Sequence, residues 1–441
     1  MLKEQALQVL DELAHQIISQ ICPCKLVVGL SGGADSTLVL LIAHHIRNLD
    51  SRYSVQAVHC IHGIDADDPI WFNHCTALCK RLEIALDTPK LKIVYGGGLS
   101  PEDVSRQERY RALLEHTKDG GVLMLGHQAD DQVESFFLAL KRGSGPYGLS
   151  GMRFMIKDER GTIIRPLLSL NKATIIEIIE ALGFSHVFDI SNTYLKFERN
   201  FIRLKVLPLL KERFSGLDKS VLRSQMLCSY EHDLAYRYTK EQFDKVFDKD
   251  TLSLDINLLN LNDMALLTSL LRLFICTVCS MPPEFSTILQ VVNLCSIGAD
   301  QKVVINLEGG YSLRRFRHRL YLVKDKVAPT KGCYQLKLNE SLKLGDYTYE
   351  LVSSNDPKLC FYQDSVILDF NLKGSLILKP NTRLHSRNLK KLYVEYDVPA
   401  WKRDALCLVK DHQDKILALG NLFSCVSPIA GKIGYTLKIS S

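Results

Sequence analysis

Six residues, Ser31-Gly32-Gly33-Ala34-Asp35-Ser36, stand between a short apolar run ending at Leu30 and a longer one from Thr37 to Ala43. The first run is β-prone and the second reads as a helix, so the six residues form a strand-to-helix turn. Its glycines let the backbone turn tightly and approach a ligand closely. Ser31 and Ser36 offer hydroxyl donors to an oxyanion. The helix that follows directs unpaired N–H groups and its positive dipole end at the same place. The turn is therefore an anion cradle. It is not a Walker loop, because it contains no lysine. Asp35 sits badly with a bare polyphosphate and well with one that carries Mg²⁺.

From Lys25 to about Leu170, strand and helix patterns alternate. Strands are expected at Val55–His59, Leu91–Tyr95 and Val122–Gly126, and helices at Pro69–Leu82, Pro101–His116, Gln132–Leu140 and Lys172–Leu182. A turn is expected at Gly96-Gly97-Gly98. This order predicts an α/β domain with a parallel sheet covered on both faces. Ligands of such sheets bind at the carboxyl ends of the strands. The Ser31 turn, His62 and the His127 stretch all follow strands and should meet at that edge.

The second informative stretch is Gly126-His127-Gln128-Ala129-Asp130-Asp131-Gln132-Val133-Glu134-Ser135. One acid suits a helix cap. His127, Asp131 and Glu134 recur at helical spacing and share a face. Such a face suits Mg²⁺, an ammonium group or proton transfer. Arg106 and Arg109 also share a helix face and can reach one anion, although Glu102, Asp103 and Glu108 make a solvated charged face the competing reading. Arg142 opens a basic, glycine-rich loop that suits phosphate or RNA contact, or a mobile linker. A further helix opens at Glu198-Arg199-Asn200, carries Arg203 and is expected to end near Pro208.

The 441 residues suffice for roughly three domains, with expected bounds 1–214, 215–325 and 326–441. The second is expected to be mainly helical and the third to be α+β. Net charge is +6, which permits a nucleic-acid partner. Thirteen cysteines without a regular framework predict reduced thiols and a cytoplasmic setting. The N-terminal helix carries Glu4, Asp11 and Glu12, unlike a leader peptide, and no apolar run reaches membrane-spanning length. Between 379 and 415 stand nine basic residues against five acids, interleaved with Tyr393 and Trp401. Lys390, Lys391 and Arg403 belong to this cluster, which suits an RNA backbone or a solvated face.

The Ser31–Ser36 turn resembles the loop of the PP-loop ATP pyrophosphatases. Taken with Val58–Gly63, Arg106/Arg109/Tyr110, Gly126–Glu134, Arg142–Gly145, Arg165–Leu168, Asp189–Asn192, Arg199–Arg203 and Lys390–Arg403, the chain resembles the tRNA(Ile)-lysidine synthetases. Gln128 and Ser135 depart from that family's usual histidine and threonine. The resemblance implies ATP and Mg²⁺ as cofactors, and an isoleucine tRNA with a CAU anticodon and free L-lysine as substrates. The tRNA cytidine would be adenylated at its C2 oxygen, and lysine would then displace AMP.

The resemblance also implies residue roles. Ser31, Gly32, Gly33, Ala34, Asp35 and Ser36 would bind ATP, with Asp35 on the metal. Asp131 and Glu134 would bind lysine. Asp35, His127, Asp131, Arg109 and Arg203 would serve catalysis. Arg142, Arg199, Lys390, Lys391 and Arg403 would contact tRNA. A homodimer is left open. The competing readings are a tRNA thiolase, which needs cysteines at the catalytic edge, and a non-catalytic RNA- or nucleotide-binding protein.

Overall fold

The computed structural model describes residues 1–61, 68–91, 101–188, 193–279, 282–296, 303–429 and 432–440. His62, the turn at 96–98 and the 189–192 motif lie outside them, as does nearly all of the strand expected at Leu91–Tyr95. The chain divides into two units, Met1–Tyr236 and Arg237–Ser441.

The first unit runs α1 (Lys3–Ile18), β1 (Lys25–Gly29), α2 (Ala34–Leu49), β2 (Ser54–Val58), α3 (Asp68–Arg81), β3 (Ala85–Asp87), α4 (Pro101–Glu115), β4 (Val122–Met124) and α5 (Ala129–Lys141). It continues with α6 (Pro146–Leu149), β5 (Met155–Asp158), β6 (Gly161–Ile164), α7 (Lys172–Ala181), α8 (Glu198–Phe201), a π turn (Ile202–Val206) and α9 (Leu207–Arg213). α10 (Leu217–Val246) carries the chain past the boundary.

The sheet has the order β3-β2-β1-β4-β6-β5 and is parallel except for β5. Leu26, Val27 and Val28 of β1 are wholly buried. Leu26 and Val28 face one core, with α1, α2 and α7, while Val27 faces another with Leu113 and Leu123. Alternating side chains therefore feed two apolar layers, as a covered parallel strand requires.

Three features differ from expectation. On its outer side β2 pairs with β3, a short and partly exposed strand with little apolar signal. The β5–β6 hairpin was not foreseen, yet β6 pairs with β4 and brings Arg165 to the sheet edge. The helix after Arg199 does not end near Pro208. It passes through the π turn and re-forms as α9. Pro208 lies in the first turn of α9, where a missing N–H costs nothing.

In the second unit, β7 (Phe247–Asp248) and β8 (Ser253–Asp255) join β9 (Val304–Leu307), β10 (Tyr311–Phe316) and β11 (Arg319–Lys324) in the order β7-β8-β11-β10-β9. α11 (Met264–Cys276) and α12 (Phe285–Ser296) share an apolar core with these strands. The middle segment is thus mainly helical with a small antiparallel sheet. Beyond it, among the described residues, lie three further antiparallel sheets of five, three and two strands, together with a helix at Leu389–Glu395 and a short one at Ala400–Arg403.

Candidate active site

The turn after β1 is wired to itself. The Ser31 N–H donates to Ser36 Oγ at 3.1 Å, and Ser36 Oγ donates to the Gly33 carbonyl at 3.0 Å. The two hydroxyl oxygens lie 3.1 Å apart. Gly32 has φ +86°, a conformation that other residues adopt only with strain. A Cβ on Gly126, just past β4, would lie 2.8 Å from the Asp35 backbone carbonyl carbon. The strand end and the start of α2 therefore touch through a glycine, and Asp35 is presented at the sheet edge.

Asp35 does not stand alone. Lys172 Nζ donates to both of its carboxylate oxygens, each at 2.9 Å. Burial pushes the Asp35 pKa up, and Lys172 opposes the shift. The motif reading missed Lys172, which is 137 residues away in sequence. A signal existed: a lysine at the first position of a helix opposes the helix dipole unless an anion faces it. The Lys172 N–H also donates to Asp130 Oδ2 at 3.0 Å, and Asp130 takes Lys211 at 3.1 Å. Asp130 therefore joins α5, α7 and α9, and the cap of α5 is Gln128, whose side chain accepts from the Asp130 N–H at 2.7 Å.

Asp131 and Glu134 form the other half of the cluster. Glu134 is fully buried, with Arg203 Nε at 2.5 Å and Arg199 Nε at 2.9 Å. Arg203 also reaches Asp131 at 3.4 Å, and Arg199 donates to Ser135 Oγ at 2.7 Å. Burial raises the Glu134 pKa while Arg203 pulls it down. Asp131 is the more open acid, 15% exposed. The two departures from the family pattern keep structural roles: Gln128 caps α5, and Ser135 holds Arg199 with a hydroxyl as threonine would.

His127 follows β4 and Arg165 follows β6, on neighbouring strands of one edge. Burial first, then the charges of Arg165, Arg106, Arg199 and Arg109, hold the His127 pKa down to about 3. The ring is neutral. Among the described residues, its buried Nδ1 and the buried Nε of Arg165 have no hydrogen-bond partner. Arg106 and Arg109 both lie close enough to act on His127, and Arg106 also covers the Tyr110 ring at 5.5 Å.

Of the RNA candidates, Arg142, Lys390 and Lys391 are exposed. Arg199 is drawn into the carboxylate cluster. Arg403 folds back on its own unit, donating to the Val398 carbonyl at 2.9 Å with its guanidinium 5.0 Å from the Tyr393 ring. Trp401 packs on the β10–β11 hairpin, 5.4 Å from Tyr321 and 6.2 Å from Phe316 between ring centroids. Both sequence readings of its cluster, an RNA backbone or a solvated face, place it on an open surface, because a tryptophan among cations reads the same whether it faces solvent or a sheet.

A covered parallel sheet, a self-wired glycine turn and a carboxylate at its edge define an ATP-binding domain of the PP-loop class, and residues 6–210 match the family model described as PP-loop domain. Residues 366–432 match a second, the TilS substrate C-terminal domain. A tRNA(Ile)-lysidine synthase from Vibrio vulnificus (strain CMCP6) is 36% identical over 407 residues, covering 90% of this chain and 92% of the relative. Another from Vibrio atlanticus (strain LGP32) is 31% identical over 445 residues, covering 95% and 96%. The chain belongs to the tRNA(Ile)-lysidine synthase family. Among solved structures, a U34-tRNA thiolase from Methanococcus maripaludis overlays with a TM-score of 0.43 at 16% identity, covering 51% of this chain and 80% of its own.

Proposed function

We propose that this chain joins L-lysine to C2 of the wobble cytidine in an isoleucine tRNA with a CAU anticodon, converting ATP to AMP and diphosphate. The observation that carries the reading is the meeting, at one sheet edge, of an anion-binding turn and a carboxylate–arginine cluster.

In the first step, the cytidine C2 oxygen attacks the α-phosphorus of ATP and the bond to diphosphate breaks. The N–H groups of the Ser31–Ser36 turn and the start of α2 hold the phosphates. A single carboxylate that already faces a cation fits Mg²⁺, which takes its other oxygens from phosphate and water, so Asp35 is the residue that would hold the metal. When bound, the metal neutralises charge on the departing diphosphate. Lys172, released from Asp35, supplies a second cation there. Fixed charge aimed at developing charge is commonly the largest contribution to such a transfer.

In the second step, the lysine amine attacks C2 and AMP leaves. Asp131 and Glu134 bind the incoming ammonium, and Asp131, the open member, is met first. The ammonium gives its proton to the Asp131 carboxylate before attack, since only the neutral amine is a nucleophile. Arg109 and Arg203 stabilise the adenylated cytidine. His127, neutral, acts through hydrogen bonds. Arg142, Lys390 and Lys391 contact the tRNA, while Arg199 and Arg403 hold those surfaces in shape. Every residue in this account lies within one chain. All thirteen cysteines are free thiols, which supports a reducing, cytoplasmic setting.

Purified protein with ATP, labelled lysine and the CAU-anticodon tRNA should yield stable label in the RNA. Diphosphate release without label would reject the amine as second substrate. The thiolase reading is weaker. Cys60 follows β2, and burial pushes its thiol up to about 11, far from a reactive thiolate.

A further inference from the structure

Beside the carboxylate cluster, α5 and the segment from Leu195 to Val206 enclose an open groove of about 470 Å³. That size falls within the range of about 300–1,000 Å³ usual for small-ligand sites. Its lining includes Phe137, Phe201 and Ile202, with Lys141 and Lys196. Phe201 is 50% exposed, although it stands between Arg199 and Arg203, which both point into the cluster. On α5, Phe137 lies three residues beyond Glu134, on the same face and within one turn. Leu138, one turn beyond Glu134 on the same face of α5, also lines it, so the groove lies one helical turn along α5 from the carboxylate cluster.

Its surroundings favour an anion-bearing, planar occupant. In the lining Lys141 is ion-paired with Glu198, which leaves Lys196 as the charge in excess, and Arg142 follows directly on Lys141. The Lys196 ammonium lies 4.9 Å from the Phe197 ring and 5.6 Å from that of Tyr194, so this lining cation already rests on aromatic faces. Lipid or an apolar peptide would gain little from such cations.

We propose that this groove receives the base of a nucleotide adjacent to the modified cytidine. The inference rests on the RNA reading above. A cytidine drawn from its strand leaves its neighbours without a stacking partner. A half-exposed phenylalanine restores one, and Lys196 meets a flanking phosphate. Stacking on an aromatic side chain contributes about 1–3 kcal/mol per base and tolerates any base. The groove therefore adds affinity and holds the strand open, without reading sequence.

The test is equilibrium binding of an anticodon stem-loop RNA, intact or made abasic at one position on either side of the cytidine. For the wild type, one of the two abasic RNAs should bind about tenfold more weakly. Phe201→Ala should weaken the intact RNA by the same factor and no longer distinguish that abasic form. Phe201→Leu, which keeps bulk but lacks a π face, should behave alike, and Phe201→Trp should restore the difference. If Phe201→Ala and Phe201→Leu bind intact RNA as the wild type does, or lose affinity additively with both abasic sites, the groove holds no base. If the wild type also binds a scrambled loop equally and forms no lysidine on whole tRNA, the RNA reading itself fails.

Discussion

Glu134 shows how much of this site depends on one side chain. Two guanidinium groups converge on a carboxylate without solvent contact. Removing one partner of a buried pair costs about 3–5 kcal/mol, because the other is left uncompensated. Glu134→Ala should lower the denaturant midpoint accordingly and abolish lysine transfer together. Asp35 is different, being partly open and paired to a flexible lysine. Asp35→Asn should leave stability nearly unchanged while cutting diphosphate release by about 10²–10³-fold, the usual cost of removing one stabilising electrostatic group; near-normal release would end its metal role.

His127 gives a pH prediction. Its folded pKa, about 3, lies below the unfolded value of 6.5. The unfolded chain therefore binds the extra proton between those limits, and stability falls as pH drops below about 6.5. His127→Gln should flatten that fall, by at most about 1.4 kcal/mol per pH unit, in denaturation curves taken from pH 7 to pH 5. An unchanged slope would mean the ring is protonated in the fold.

The acids were legible in sequence because they stand together on one helix. Their cations were legible only in part, Arg199 and Arg203 as motif residues and Lys172 not at all. Lys172, Arg199 and Arg203 are supplied by later segments, and nothing in their own neighbourhoods marks Lys172 except its awkward place at a helix start.

Among elements, the β4–α2 contact is the tightest constraint on the ATP turn. A Cβ at Gly126 would meet backbone, which cannot rotate away. Gly126→Ala should displace the Asp35 turn and raise the KM for ATP strongly, while circular dichroism shows the fold retained; unaltered kinetics would mean the turn is looser than its packing implies. β1, β4 and α2 were readable, since their burial leaves a continuous apolar run, Val122–Leu125 in the case of β4. β3, β7 and β8 are two or three residues long and only partly buried, so they carry no comparable run. The continuation past Pro208 was hidden because a proline that ends one helical turn is equally suited to begin the next.

Across the whole molecule, the division into units falls inside α10, where composition does not change and no loop marks a boundary. The C-terminal helix at Leu389–Glu395 presents Lys390 and Lys391 outward from a buried Leu389 and Leu392. Reversing both charges should weaken tRNA binding and lower the slope of log affinity against log salt by about 0.9 for each phosphate no longer neutralised. An unchanged slope in filter binding across salt concentrations would remove this helix from the RNA surface. Trp401→Ala acts by another route: it loosens the β10–β11 packing and should lower stability while leaving the salt slope alone.

The pairing of Asp35 with Lys172, Asp130 with Lys211, and Asp131 and Glu134 with Arg199 and Arg203 has a consequence for how substrates enter. At these pairs, admission is by exchange. A phosphate that reaches Lys172 takes the place of the Asp35 carboxylate, and an ammonium that reaches Glu134 takes the place of a guanidinium. A neutral molecule, or one with a single misplaced charge, has nothing to trade. Discrimination thus begins at the doorway, before any bond is made.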